Sequence, residues 1–95
     1  MTKQSMKYEV DGMEIELKEV DTSNCHAVYN IIIDGKKEGE LNYYAGNGWT
    51  FFVDSLFIDQ NWRGYDFEDI VPILLREISY ATLKNDLQEI FDEDN

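Results

Sequence analysis

Ninety-five residues, 43% hydrophobic and 14% aromatic, set the size of one domain with a modest core. Twenty acidic residues face eight basic ones; the resulting charge of −12 repels nucleic acid and anionic membranes and attracts basic partners. One cysteine excludes an internal disulfide, no run reaches the ~20 apolar residues of a spanning helix, and MTKQSMKYEVDG lacks an apolar signal core, so a cytoplasmic chain is expected.

The first element is a hairpin. In KYEVDGMEIELKEV, Asp11-Gly12 suits a two-residue type I′ turn, because both central residues need positive φ. Beyond it Met13, Ile15 and Leu17 share one face and Glu14, Glu16 and Lys18 the other. DTSNC is a polar connector. AVYNIIIDGKKEGELNYY repeats the pattern, with Asp34-Gly35 opening a slightly longer hairpin. AGNGW is a third turn, and WTFFVDSLFI is expected to run as one apolar, central strand under a helix.

From Asp66 the period changes. Phe67, Ile70, Val71, Leu74, Ile78 and Ala81 fall at helical spacing, with Arg76, Glu77 and Lys84 off that stripe. Proline is tolerated in the first helical turn and costs ~3 kcal/mol or more deeper in. Asp69 as N-cap would put Pro72 at an acceptable third position, so Asp66 to Glu68 are expected to form a turn. NDLQEIFDEDN is a last helical segment or a frayed tail, with Asp86 and Glu89 spaced as a capping box. The expected fold is α+β: a four- to five-stranded antiparallel meander sheet with a C-terminal helix packed on one face. Residues 1–91 would form a single compact domain and 92–95 a disordered acidic tail.

Arg63-Gly64, the apolar SLFI before it and the PILLREISYA helix after it occur in an order that resembles the central motif of the GNAT-family acyltransferases, over residues 53–81. The resemblance implies a loop whose backbone amides hold the pyrophosphate of acetyl-CoA at a helix N-terminus. Gly64 occupies a glycine position of that motif, whereas Asp66 and Glu68 stand where the family has Gly and Gly/Ala. Carboxylates there satisfy the free amides and the helix dipole themselves and repel an incoming phosphate.

Other chemistry is sparse. Cys25-His26 pairs a thiol with an imidazole, but neighbours on a strand point to opposite faces, so a small buried Cys and a surface His are expected. Glu14 and Glu16 lie about 7 Å apart on one strand face, as Glu38 and Glu40 would on a regular strand. A solvated strand face provides neither the cleft nor the raised pKa that catalytic carboxylates need. No catalytic residue, metal site or cofactor is expected.

Acid is spread over strands and helix ends. Glu38, Glu40, Asp54 and Asp59 fall in a stretch without a basic residue, as do Asp86, Glu89, Asp92, Glu93 and Asp94 after Lys84. Carboxylates fixed on a folded scaffold can meet the Lys and Arg that otherwise hold nucleic acid, whose duplex carries one charge per ≈1.7 Å. Trp49, Trp62, Tyr43, Tyr44 and Tyr65 near turns could supply aromatic anchors, or pack in the core. The expectation is a non-enzymatic inhibitor or adaptor, a monomer or small homo-oligomer, that occupies the positive site of a basic, nucleic-acid-handling protein and binds neither nucleic acid nor membrane. Small acidic proteins of phages and mobile elements that block restriction or CRISPR nucleases share its size and charge. The expected partner-binding set is Glu14, Glu16, Glu38, Glu40, Asp54, Asp59, Trp62, Tyr65, Asp66, Glu68, Asp69, Asp86 and Glu89. The alternatives are a degenerate GNAT-like domain that binds a CoA-type ligand or a partner, and acid that serves solubility alone.

Overall fold

A computed structural model describes residues 5–23 and 26–93, and side chains as far as residue 84. Six strands come first: β1 (Ser5–Val10), β2 (Met13–Thr22), β3 (His26–Ile33), β4 (Lys36–Tyr44), β5 (Gly48–Val53) and β6 (Ile58–Trp62). One helix, α1 (Phe67–Glu93), follows them. The strands form one antiparallel sheet in the order β1-β2-β3-β4-β5-β6, so β1 and β6 are its edges.

The strand count is six rather than four or five because WTFFVDSLFI does not run straight through. It breaks after Val53 into a 3₁₀ turn, Asp54–Leu56, and Phe57 reverses the chain with φ 57° and ψ 37°. Val53 then pairs with Ile58, and the second half of the run returns as β6. Asp11 and Gly12 both have positive φ, as the type I′ turn requires. Asp34 and Gly35 do the same, and Ile33 pairs with Lys36, so that hairpin also has a two-residue turn rather than a longer one. Asp34 ties this turn to β2: its N–H donates to the Glu14 carbonyl at 2.8 Å, and its Oδ1 accepts from the Glu14 N–H at 3.0 Å.

Alternation along the strands divides the sheet into two faces. One carries Ile15, Leu17, Tyr29, Ile31, Leu41, Trp49, Phe51, Val53 and Ile58, which form the core with Ile70, Val71, Leu74 and Ile78 of α1. Cross-strand partners such as Leu17–Ile31 and Leu41–Phe51 stack into rows across this face. Among the described residues no helix covers the opposite face, where Glu14, Glu16, Lys18, Asn30, Glu40, Asn42, Phe52 and Asp59 lie.

α1 starts earlier than the proline suggests. The Asp66 carbonyl accepts the N–H groups of both Asp69 and Ile70 at 3.0 Å, so Phe67 is already helical and Pro72 sits at the sixth helical position. Packing overrides the local cost. The Phe67 ring lies 5.1 Å from that of Tyr29 and 5.6 Å from that of Trp49, and this holds the first turn on the sheet. Pro72 and Glu68 are both exposed, which leaves the Glu68 carbonyl, deprived of its helical donor, open to water. From there α1 runs to the β1–β2 hairpin, where Ser79 Oγ donates to Asp11 Oδ2 at 2.5 Å. The 27 residues of α1 span about 40 Å, and the backbone passes Asp86 and Glu89 without a new start. Residues 94 and 95 of the expected tail lie outside the described residues. Among the described residues no helix is long and apolar enough to cross a membrane.

Candidate functional site: an acidic corner and an open sheet face

Apart from Glu38, which sits in a bulge of β4, the sequence-predicted site residues with described side chains fall into three places. Glu14, Glu16, Glu40 and Asp59 stand on the uncovered sheet face. Asp54 sits in the β5–β6 turn. Trp62, Tyr65, Asp66, Glu68 and Asp69 gather where β6 passes into α1. The side chains of Asp86 and Glu89 lie outside the described residues.

On the open face several acids have basic neighbours. Lys7 Nζ lies 3.8 Å from Glu14 Oε1, and Lys37 Nζ lies 3.1 Å from Glu40 Oε2. Glu16 accepts a hydrogen bond from the Ser5 hydroxyl. Glu38 does not share a regular face with Glu40. Ile31 pairs with Gly39 and Ile32 with Lys37, so Glu38 is the extra residue of a β-bulge, held 4.0 Å from Lys36. A Cβ on Gly39 would lie 1.8 Å from the Phe52 carbonyl oxygen, so only glycine lets β4 come this close to β5. Glu40 and Asp59 flank Phe52 in one cross-strand row, about 10 Å apart at ~4.8 Å per strand.

The corner is different. Asp66, Glu68 and Asp69 are exposed, and so are Asp54 and Asp59 farther along. Among the described residues, none of these five has a basic group within 4.0 Å. Glu68 and Asp69 lie in the first turn of α1 and oppose the positive end of its dipole. The corner rests on Trp49, whose ring is 5% exposed in the core and whose Nε1–H donates to the Tyr65 carbonyl at 3.0 Å. Trp62 is half-buried, gives its Nε1–H to Gln60 Oε1 at 2.9 Å, and meets Tyr65 edge-on at 5.7 Å. Tyr65 is the aromatic of this corner that reaches solvent, at 40% exposure.

Arg63 and Gly64, which carried the acyltransferase resemblance, line a cleft of about 400 Å³ with Tyr43, Gly46, Gly48, Tyr65 and Asp66. Gly46 is the third residue of a type II turn closed by Asn47 N–H to the Tyr44 carbonyl at 3.0 Å, and its φ of 87° requires glycine. Gly48 admits β6, because a Cβ there would stand 2.6 Å from the Trp62 carbonyl oxygen.

Cys25 lies outside the described residues, and His26 is half-buried, its ring stacked on Tyr44 at 4.6 Å. No group of three or more His, Cys, Asp or Glu suited to a metal occurs among the described residues. Among the described residues Tyr29 has a perturbed titration: burial, and then the Glu19 charge, raise its phenol above the ordinary value. Two exposed aromatics escaped the sequence reading. Phe57 was hidden inside an apolar run, whereas Tyr80 could have been found, since it lies off the stripe that faces the sheet. Comparison of the chain with protein-family models, curated proteins and solved structures finds no match.

Proposed function

We propose that this chain is a small, cytoplasmic, acidic binding protein that inhibits or modulates a basic, nucleic-acid-handling protein by occupying its positive site. The observation that carries this reading is the set Asp54, Asp59, Asp66, Glu68 and Asp69: exposed, held in the β5–β6 turn, on β6 and at the start of α1, and without an ion pair among the described residues. Carboxylates fixed on a folded backbone offer a partner's Lys and Arg a preformed array. The net charge of −12 adds long-range attraction that falls with salt. No step of this mode needs a catalytic group. It works as an interface that competes with DNA or RNA, with Tyr65 as its aromatic contact.

Affinity capture on the immobilised protein tests it. The expected result is retention of basic nucleic-acid-binding proteins at low salt and their release by duplex DNA. Retention of none at low salt would overturn the proposal.

The cleft at Arg63-Gly64 favours a second reading, a degenerate GNAT-like domain that holds a CoA-type ligand without turning it over. A thermal-shift titration with acetyl-CoA decides it: no stabilisation at millimolar ligand removes this reading.

A further inference from the structure

A second surface lies away from the acidic corner, on the outer side of β6. Leu56, Phe57, Ile58, Gln60, Tyr80 and Ala81 line a groove of about 410 Å³ between the β5–β6 turn and α1, with Asp59, Glu77 and Lys84 at its rim. Ile58, Asp59 and Gln60 are consecutive, and consecutive strand side chains point to opposite faces. A groove that touches all three therefore runs along the strand's edge, where backbone N–H and C=O groups have no strand neighbour among the described residues.

Phe57 marks this edge. Its φ of 57° and ψ of 37° are a conformation that suits Gly or Asn and strains a bulky side chain. Yet the ring is 91% exposed, and Tyr80 across the groove is 62% exposed. Neither ring has an aromatic partner among the described residues. The groove has room for a few side chains rather than for a whole helix. Asp54 and Asp59, on the strand side, lack ion pairs among the described residues, while on the helix side Glu77 is held by Gln60 at 3.1 Å and Arg76 at 3.7 Å.

We propose that this groove receives an extended segment of a basic partner protein. The segment adds as a strand to β6, places one apolar side chain between Phe57 and Tyr80, and directs Lys or Arg toward Asp54 and Asp59. A second copy of this chain is a poor occupant, because each copy carries −12. The proposal rests on the reading of a basic partner, and assigns Asp54 and Asp59 of that reading to the groove, apart from Asp66, Glu68 and Asp69 at the corner.

The probe is a fluorescein-labelled peptide, Lys-Val-Lys-Phe-Lys-Val-Lys, followed by anisotropy at low salt. Controls carry Glu for Lys, or N-methylated backbone amides that cannot pair with an edge. The expected result is saturable binding, at least ten-fold weaker for each control and for Phe57→Gly and Tyr80→Ala. Phe57→Gly relieves the strained φ, so it should melt no lower than the wild type, and loss of binding then reports the groove and not unfolding. Absence of wild-type binding, equal binding of the N-methylated peptide, or binding untouched by both variants would overturn the proposal. So would sedimentation showing a dimer that Phe57→Gly dissociates, which would make a second copy the occupant. A groove variant that loses the peptide but still competes with duplex DNA supports two separate surfaces. Variants that keep the peptide while the corner still competes with DNA sink the groove alone.

Discussion

Neutralising the corner with Asp66→Asn, Glu68→Gln and Asp69→Asn sets two electrostatic effects against each other. All three carboxylates stand at the N-terminus of α1, where each opposes the helix dipole and is worth about 0.3–1 kcal/mol, or about 1–3 kcal/mol together. Against this, removing three negative charges from a chain at −12 relieves repulsion. That repulsion acts over the whole molecule and is screened within ~10 Å at ~0.1 M salt, whereas the helix end lies within one turn of each carboxylate. The local effect should win, leaving a net loss of about 1 kcal/mol after discount for full solvation of the groups. For a domain of this size that lowers Tm by about 4–8 °C. Thermal unfolding by circular dichroism at ~0.1 M salt reads it, and at ~1 M salt, where the Debye length is ~3 Å, the difference should shrink. A triple variant as stable as the wild type, or more so, at ~0.1 M salt would refute the idea that these acids complete the helix end.

Pro72→Ala restores a donor for the Glu68 carbonyl; the ~3 kcal/mol interior cost of proline, less ~1 kcal/mol for a freer unfolded chain, predicts about 2 kcal/mol of added stability in a urea titration. Gly48→Ala forces a Cβ to 2.6 Å from the Trp62 carbonyl oxygen at a φ of +83°, so unfolding should be easier by at least the 1–3 kcal/mol of order-of-magnitude strain expected from the φ alone. Tyr29 has its phenol raised by burial and by Glu19, so its contribution is complete below an ordinary value of about 10 and is lost as pH rises through the higher folded value. Tyr29→Phe should therefore flatten the fall of the urea midpoint in that alkaline window, and an unchanged slope would contradict this assignment.

Much of the fold was legible because its signals are local. Asp11-Gly12 and Asp34-Gly35 specify turns through backbone conformation alone, and the stripe from Phe67 to Ala81 specifies which side of α1 meets the sheet. Where tertiary packing decides, local signals failed. In WTFFVDSLFI the polar pair Asp54-Ser55 marks the break, but the apolar residues on both sides mask it, and a bulky Phe57 is not the residue that the φ of 57° favours. Pro72 argued for a late helix start, but the rings of Tyr29 and Trp49 hold Phe67 in place one turn earlier. Glu38 left the regular face because β4 bulges between Lys37 and Gly39. The acids of the corner were legible as composition. Their freedom from ion pairs among the described residues was not, because it depends on where Lys7, Lys36 and Lys37 end up: beside Glu14, Glu38 and Glu40.

Occupation of a positive site in place of nucleic acid is tested most directly by competition on a captured partner. Labelled duplex DNA is bound to that partner, and the wild-type chain is titrated in beside the Asp66→Asn, Glu68→Gln, Asp69→Asn variant. The account predicts full displacement of the duplex by the wild type, weakening as salt rises, and displacement at least ten-fold weaker by the variant. A partner that holds chain and duplex together, or releases the duplex equally to both proteins, would contradict it.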